Sequence, residues 1–102
     1  MKTHELKQSP ILQNLKHQYN LDKLAIFGSY ARGDASEDSD IDLLIRPTQE
    51  FIDSTDPLMA FVTFDQKKQE LENLFGKKVD FAFESGLSLT AQKHIYETII
   101  YA

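Results

Sequence analysis

Cysteine is absent from this 102-residue sequence, which excludes a disulfide framework, cysteine-ligated zinc and thiolate chemistry. The first ten residues, MKTHELKQSP, lack the apolar region of a secretory signal peptide. No apolar run approaches the length that is needed to span a bilayer. We therefore expect a cytoplasmic protein that does not associate with a membrane.

An excess of basic residues is also missing. The sequence has 16 acidic residues against 11 Lys and Arg residues, and its formal net charge is -5. Because a nucleic-acid-binding face is usually a basic stripe, we expect no direct nucleic-acid binding. Five acids crowd one short stretch: Asp34, Glu37, Asp38, Asp40 and Asp42. Such a run is by itself most often a solvated loop, so its meaning depends on the spacing around it.

Apolar periodicity and helix caps predict one domain over residues 1–102, since a chain of this length builds one core and not two. The first half of the chain is predicted to contain a helix over residues 10–19 that Asn20 ends, a strand at Leu24–Phe27, a short helix at Tyr30–Arg32 that Ser29 caps, and a strand at Asp40–Ile45. A polar connection over residues 47–56 follows. The second half is predicted to contain a helix over residues 57–75, a strand at Val79–Phe83, and a last helix that Ser88 or Thr90 caps and that reaches Ile100. The apolar stripe of the long helix consists of Phe61, Phe64, Leu71 and Phe75. This order indicates an α/β or α+β domain with a sheet of three or four strands.

Gly28-Ser29 follows a predicted strand directly and opens a helix. Glycine lets the backbone approach a ligand closely. The free N–H groups at a helix start, together with the Ser29 hydroxyl, suit a phosphate. Gly-Ser is also common in ordinary turns, so this pair alone is weak evidence.

Three carboxylates are candidates for a metal site. Asp40 and Asp42 alternate with Ile41, so they share one face of a strand. Carboxylates this close resist joint ionisation, and Mg²⁺, which prefers carboxylate oxygens plus substrate phosphates, relieves the repulsion. The ordinary alternative is one solvent-facing acid beside one that caps a loop. Asp80, the lone acid of an apolar strand, is either a half-exposed strand residue or a third carboxylate of the same site.

Taken together, these motifs are far more specific than each alone. Gly28-Ser29, ten intervening residues, Asp40-Ile41-Asp42 and then Asp80 in a later strand resemble the DNA polymerase beta-like nucleotidyltransferase superfamily. The fuller strings, GSYARG from Gly28 and SDIDLLI from Ser39, are similar to the small MNT-type nucleotidyltransferases of prokaryotes. The resemblance covers nearly the whole chain, with Tyr30 and the phenylalanine-rich third strand as minor departures.

The resemblance implies a small mixed sheet flanked by helices and a nucleotidyl transfer that depends on two Mg²⁺ ions. By resemblance, Asp40 and Asp42 hold both ions. Asp80 binds the catalytic ion and helps to deprotonate the acceptor hydroxyl. Gly28 and Ser29 hold the β- and γ-phosphates of the donor, which is expected to be ATP.

Three further residues of these strings have open roles. Arg32 either reaches a phosphate or the acceptor, or pairs with an acid such as Asp42 or Asp80. Tyr30 either lies at the nucleotide or packs in the core. Ser39 either orients the acids of the second strand or caps the loop before it.

A chain of this size has no room for a domain that grips the acceptor, so we expect a partner to present the hydroxyl. Minimal members of the resembled family are paired with a helical HEPN-type protein in toxin–antitoxin modules, and some transfer AMP to a tyrosine of the toxin. The resemblance therefore implies an antitoxin that modifies its toxin. Three alternatives stay open: an antitoxin that acts by binding alone, transfer to a small molecule such as an aminoglycoside, and an acidic interaction module with a chance motif.

Overall fold

The computed structural model describes residues 3–18 and 21–102. The helices are α1 (Thr3–Lys7), α2 (Pro10–Gln18), α3 (Ser29–Arg32), α4 (Gln49–Ser54), α5 (Pro57–Phe75) and α6 (Leu89–Tyr96), with a 3-10 turn at Glu84–Gly86. The strands are β1 (Leu21–Phe27), β2 (Ile41–Pro47), β3 (Val79–Phe83) and β4 (Ile100–Tyr101). No helix within the described ranges is long and apolar enough to cross a membrane.

The four strands form one mixed sheet in the order β3-β2-β1-β4. β1 pairs antiparallel with both β2 and β4, whereas β2 and β3 run parallel. The parallel pair is possible because α4 and α5 provide the long crossover that such a connection needs. The predicted α/β fold with a small mixed sheet flanked by helices is confirmed, and the sheet has four strands.

The core lies where the two central strands meet the helices. β1 and β2 carry nearly continuous apolar runs, which is typical of strands that are covered on both faces. Leu43 and Ile45 of β2 are fully buried, as are Leu12 of α2 and Leu71 of α5. Burying each such side chain contributes about 1.5–3 kcal/mol, so these two strands hold the sheet and its helices together.

The predicted strands and the long helix are present, with small differences at their ends. α5 begins at Pro57, where the Asp56 side chain accepts hydrogen bonds from the N–H groups of Leu58 and Met59. The predicted helix over residues 10–19 is observed as Pro10–Gln18, while Tyr19 and Asn20 lie outside the described residues. β1 begins three residues earlier than predicted, because pairing with β2 extends beyond its apolar run.

Two short helices were not predicted. α4 falls in the segment that the sequence indicated to be a polar connection, and Thr48 caps it by accepting a hydrogen bond from Phe51 N at 3.1 Å. Only one residue of α4, Phe51, packs against the core, so the segment lacks apolar periodicity. α1 likewise has one buried residue, Leu6.

Two predictions were wrong, one about the start of α3 and one about the end of the chain. Gly28, not Ser29, occupies the cap position of α3. Ser88 and not Thr90 caps α6, which ends at Tyr96. The last residues were expected to continue that helix, but Ile100 instead pairs with Ile26 as part of β4. Pairing with the edge of β1 that β2 does not occupy gives the backbone N–H and C=O groups of the terminal segment their hydrogen-bond partners.

A charged cluster ties the sheet together at the end remote from Gly28. Lys23 of β1 donates to Glu84 at 2.7 Å, and Arg46 of β2 donates to the other carboxylate oxygen at 3.2 Å. Tyr96 of α6 hydrogen-bonds to Glu84 and to Lys23, and the Lys23 ammonium lies 4.5 Å from the centre of its ring. The Lys23 and Glu84 side chains are each only 15% exposed, so the ion pair is sheltered from solvent.

Replacing Glu84 with Gln should lower the free energy of unfolding by about 1–3 kcal/mol at pH 7, the range for hydrogen bonds to charged groups. The Lys23 hydrogen bond, aided by the charges of Lys23 and Arg46, holds the pKa of Glu84 below its ordinary value of 4.5 against the opposing effect of burial. This contribution is therefore complete above about pH 4.5 and is lost as the pH falls through the lower folded-state pKa. Urea denaturation between pH 7 and pH 3 measures it.

The matched control is Glu70→Gln, which breaks the exposed pair of Glu70 with Lys67 on α5. An exposed pair is worth about 0–1 kcal/mol, so this variant should unfold nearly as wild type does. A loss from Glu84→Gln that is no larger than the loss from the control would contradict the structural role of the cluster.

Candidate active site

Three strands bring the predicted site residues together at one end of the sheet. Phe27, the last residue of β1, is the register partner of Asp42 in β2, and Asp42 is the register partner of Asp80 in β3. Register partners point to the same face, and adjacent strands lie about 4.8 Å apart. Asp42 therefore lies between the end of β1, where Gly28-Ser29 begins, and Asp80 on the edge strand.

Gly28 adopts a backbone conformation that other residues essentially avoid, with φ of 71° and ψ of -149°. A Cβ atom built on Gly28 would overlap the carboxylate of Asp42 and would lie only 3.1 Å from its Cγ. Both the backbone conformation and the lack of space beside Asp42 therefore require glycine at position 28. The turn consequently brings bare backbone against a carboxylate.

Ser29 and Tyr30 are adjacent in the chain but have different surroundings. Ser29 begins α3, and its hydroxyl makes no hydrogen bond within residues 3–18 and 21–102. Tyr30 is only 2% exposed and belongs to the core cluster, and Thr3 of α1 donates a hydrogen bond to its carbonyl oxygen at 2.5 Å. Of the two predicted roles for Tyr30, packing is therefore the one that the structure supports.

Asp42 is the electrostatic centre of the site. Burial raises its pKa above the ordinary value of 3.8, and the negative charges of Asp80 and Asp40 raise it further, while the positive charge of Arg32 opposes them. Asp40 and Asp80 are themselves exposed. Three acids within electrostatic reach of one another form a site that favours a cation.

Arg32 forms its ion pair with neither predicted acid. Its Nε donates to Asp34 at 3.2 Å, and both side chains are more than half exposed. An exposed pair of this kind is weak, so it does not prevent Arg32 from turning toward a ligand. Ser39 caps the loop, one of its two predicted roles, because its hydroxyl accepts a hydrogen bond from Ser36 N at 2.8 Å.

The carboxylates do not form a complete metal cage. Among the described residues, no group of three or more His, Asp or Glu side chains is arranged to hold a metal ion by itself. Mg²⁺ usually takes one or two protein carboxylates together with substrate phosphates and water, and Asp42 with Asp80 provides two on one face. The donor set fits Mg²⁺ that arrives with a triphosphate, and the assignment of Asp40, Asp42 and Asp80 as its ligands stays a prediction.

One predicted core residue lies beside the site instead. Phe61 was expected in the apolar stripe of α5, but it is 68% exposed, whereas Phe64 and Leu71 of the same stripe are buried. Phe61 and Phe64 line a cavity that also includes Asp80. The abundance of phenylalanine between residues 61 and 83 is a signal that could have directed attention to this surface.

Gly28→Ala should destabilise the protein by at least about 1–3 kcal/mol, because the backbone strain alone costs that much and the added methyl overlaps Asp42. Thermal and urea denaturation measure the change. Gly86→Ala is the matched control, since a methyl at Gly86 meets no atom within 4 Å and its backbone is unstrained. Equal stability of the two variants would rule out the tight contact.

Asp42→Asn should raise the melting temperature at pH 7 by on the order of a few degrees in a buffer with chelator. The ionised carboxylate is disfavoured in the folded state, so its cost is full above the raised folded-state pKa and absent below the unfolded value. At pH 3 the advantage of the variant should vanish. Calorimetry at both pH values tests this, with the exposed loop variant Asp38→Asn as the control. A melting temperature that is unchanged at pH 7 would contradict the raised pKa.

Comparison with known proteins identifies the family and the fold of the chain. "Protein adenylyltransferase MntA" of Thermococcus cleftensis is 28% identical over 87% of this chain and 82% of its own length. A solved structure assigned to the minimal nucleotidyltransferases superposes with a TM-score of 0.74 at 28% identity, covering 98% of this chain and 95% of the other.

A toxin–antitoxin crystal structure with AMP-PNP superposes with a TM-score of 0.69 over 92% of this chain and 71% of the other chain. At 18% identity, that likeness concerns the fold alone. The family match is the most direct of these findings, because it spans residues 9–102 and includes every residue of the site. The chain therefore belongs to the nucleotidyltransferase domain family, as the spacing of its glycine-serine turn and its aspartates predicted.

Proposed function

We propose that this chain is a Mg²⁺-dependent protein adenylyltransferase that transfers AMP from ATP to a tyrosine of a helical HEPN-type toxin. It would act in the cytoplasm as the antitoxin of that protein. The observation that carries the proposal is the row formed by the Gly28 turn, Asp42 and Asp80 across three strands. A turn without a side chain beside paired carboxylates is suited to hold a triphosphate together with its cation.

The phosphate-binding role falls to Gly28 and Ser29. Gly28 lets the phosphates approach the backbone, and the Ser29 hydroxyl is available to donate a hydrogen bond to a phosphate oxygen. Arg32 is one turn further along α3 and can exchange its weak pair with Asp34 for a stronger charge-assisted bond to phosphate. These three residues would hold the β- and γ-phosphates.

Asp40, Asp42 and Asp80 would hold Mg²⁺, which supplies neutralisation of the phosphate charge when it is bound. Asp42 is disfavoured as an isolated anion by burial and by its acidic neighbours, so it gains most from a cation. Asp80 is exposed on the edge strand, where an incoming hydroxyl can reach it. It would accept the proton of that hydroxyl.

The reaction balances without a further reactant. The tyrosine oxygen forms a bond to the α-phosphorus, and the bond from this phosphorus to the oxygen that bridges to the β-phosphate breaks. Pyrophosphate leaves, the hydroxyl proton passes to Asp80, and AMP remains on the tyrosine. The contribution of the protein is mainly positioning and charge stabilisation.

Two similarities support a protein acceptor in a toxin–antitoxin pair. The Thermococcus cleftensis relative carries the name of a protein adenylyltransferase, and the fold matches that of a toxin–antitoxin structure with AMP-PNP. The net charge of -5 suits a basic partner.

The test is incubation of the chain with Mg²⁺, α-labelled ATP and the product of the neighbouring gene. Label should move to a tyrosine of that product. The double substitution Asp40→Asn with Asp42→Asn should lower the transfer by at least about 100-fold, because the two carboxylates that face the cation are lost. Mass spectrometry identifies the modified residue.

The matched control is Glu37→Gln with Asp38→Asn, which removes two charges from the same acidic stretch at exposed positions. It should transfer label at the wild-type rate. If the Asp40 and Asp42 variant still transferred label, the assignment of the metal ligands would be wrong. If wild type transferred none but still protected cells from the partner, neutralisation by binding alone would be correct.

A further inference from the structure

An aromatic groove begins at Asp80 and continues along the outer side of β3. Its first part is a cavity of about 240 Å³, lined by Asp80 and by four phenylalanines, Phe61, Phe64, Phe81 and Phe83. A second cavity of about 270 Å³ shares Phe64 and Phe83 with the first and extends to Phe51 and Ile52 of α4. We refer to the two cavities together as the aromatic groove.

Contacts with the buried ring of Phe64 fix the other rings on the inner side of the groove. Phe64 is buried and makes edge-to-face contacts with Phe81 and Phe83, at centroid distances of 6.1 and 5.3 Å. Phe51 packs on the same ring at 5.9 Å. Phe61 and Phe83, in contrast, are 68% and 38% exposed. The groove therefore combines a fixed aromatic floor with rings that remain open to a ligand.

Apolar exposure extends beyond these rings. Leu58 and Met59, in the first turn of α5, are 69% and 57% exposed, and Ile52 is 52% exposed. Within the two cavities, the exposed residues Phe61, Phe83 and Ile52 form a contiguous apolar surface, and such a surface marks an interaction site more often than scattered apolar residues do.

Strand order decides which substrate reaches the groove. Gly28-Ser29 follows β1, on one side of Asp42, whereas Asp80 and the groove lie on β3 at the other side and at the edge of the sheet. If the donor phosphates occupy the glycine-serine turn, the opposite approach to Asp42 and Asp80 is left for the acceptor. The groove lies at that free edge of the sheet.

We propose that the aromatic groove binds the acceptor tyrosine of the partner protein, together with the apolar residues that flank it. This inference rests on the proposed function. The cavity beside Asp80 has a volume of about 240 Å³, which is enough to admit one aromatic side chain. A ring that enters it meets the edges and faces of Phe61 and Phe83, an arrangement that aromatic pairs favour. Because side chains alternate along β3, the Asp80 carboxylate lies on the face opposite to Phe81 and Phe83, and the tyrosine hydroxyl reaches it around the free edge of the sheet.

The charges of the groove select among partner segments. Asp65 and Asp80 contribute two carboxylates, and Lys68 contributes one ammonium. With the net charge of -5, this balance favours a tyrosine that has Lys or Arg nearby, because complementary charges steer association.

Phe61→Ser tests the proposal, since Phe61 is exposed and its removal should leave the fold intact. We expect the KM for the partner to rise at least tenfold, because an aromatic contact in the groove is lost, while the Kd for ATP with Mg²⁺ is unchanged. Phe61→Tyr keeps a ring and should restore a KM near that of wild type. Leu74→Ser removes an equally exposed apolar residue from the far end of α5 and should change neither constant. Melting curves confirm that each variant is folded.

The partner contributes a second set of variants. Replacing the labelled tyrosine with Phe should preserve the affinity measured by calorimetry and abolish labelling. Replacing it with Ala should weaken binding at least tenfold. An Ala variant that binds as tightly as the Phe variant would overturn the proposal, and so would a rise in the Kd for ATP in Phe61→Ser, which would assign the groove to the adenine base.

Binding and transfer separate this inference from the proposed function. If wild type transferred no label but Phe61→Ser weakened partner binding tenfold and Leu74→Ser did not, the proposed function would fail and the docking surface would stand. If label moved at an unchanged KM in Phe61→Ser, the function would stand and the groove proposal would fail. If there were neither transfer nor an effect on binding, both would fail.

Discussion

The contact between Gly28 and the Asp42 carboxylate is the constraint around which the site is built. It joins the end of β1 to the start of β2, and no side chain larger than hydrogen fits between them. Burial raises the pKa of Asp42, and the negative charges of Asp80 and Asp40 raise it further. A site that holds its central carboxylate in such surroundings stores unfavourable electrostatic energy, and a bound cation releases that energy.

That strain is compatible with a small protein because the opposite end of the sheet is secured separately. Lys23, Arg46, Glu84 and Tyr96 join β1, β2, the turn after β3 and α6 in one sheltered cluster. The apolar runs of the two central strands lie between this cluster and the site. Asp42, the central carboxylate, is therefore carried on one of the two well-packed central strands, and rigid support of this kind favours precise positioning of a functional group.

The sheet also separates the two proposed substrate sites in space. The glycine-serine turn and the aromatic groove lie on opposite sides of Asp42, at β1 and β3 respectively. The parallel pairing of β2 and β3 places Asp80 in register with Asp42, and Phe81 and Phe83 lie on the other face of the same edge strand. One feature of the topology thus brings Asp42 and Asp80 together and places the aromatic groove at the edge beside them.

Much of this organisation can be predicted from the sequence. Cap residues and apolar runs located β3 and α5 closely and β1 and β2 to within three residues, and the spacing of Gly28-Ser29, Asp40, Asp42 and Asp80 indicated the family to which the chain belongs. These signals are local, since a cap, a turn or an alternating strand depends on neighbours in the chain. The sequence did not predict α4, because a helix with one packed ring shows no apolar periodicity. The predicted α6 was too long, because Ile100 pairs instead with Ile26, which is distant in the chain.

Tertiary structure alone decided the remaining features of the site. It packed Tyr30 in the core, paired Arg32 with Asp34, and exposed Phe61 although its position in the helical pattern predicted burial. Each of these outcomes depends on which surfaces meet across the fold, and residue type and spacing do not encode that geometry. The sequence by itself thus determined the family and the residue types available at the candidate site, while the packing of β3 and α5 determined the aromatic groove beside it.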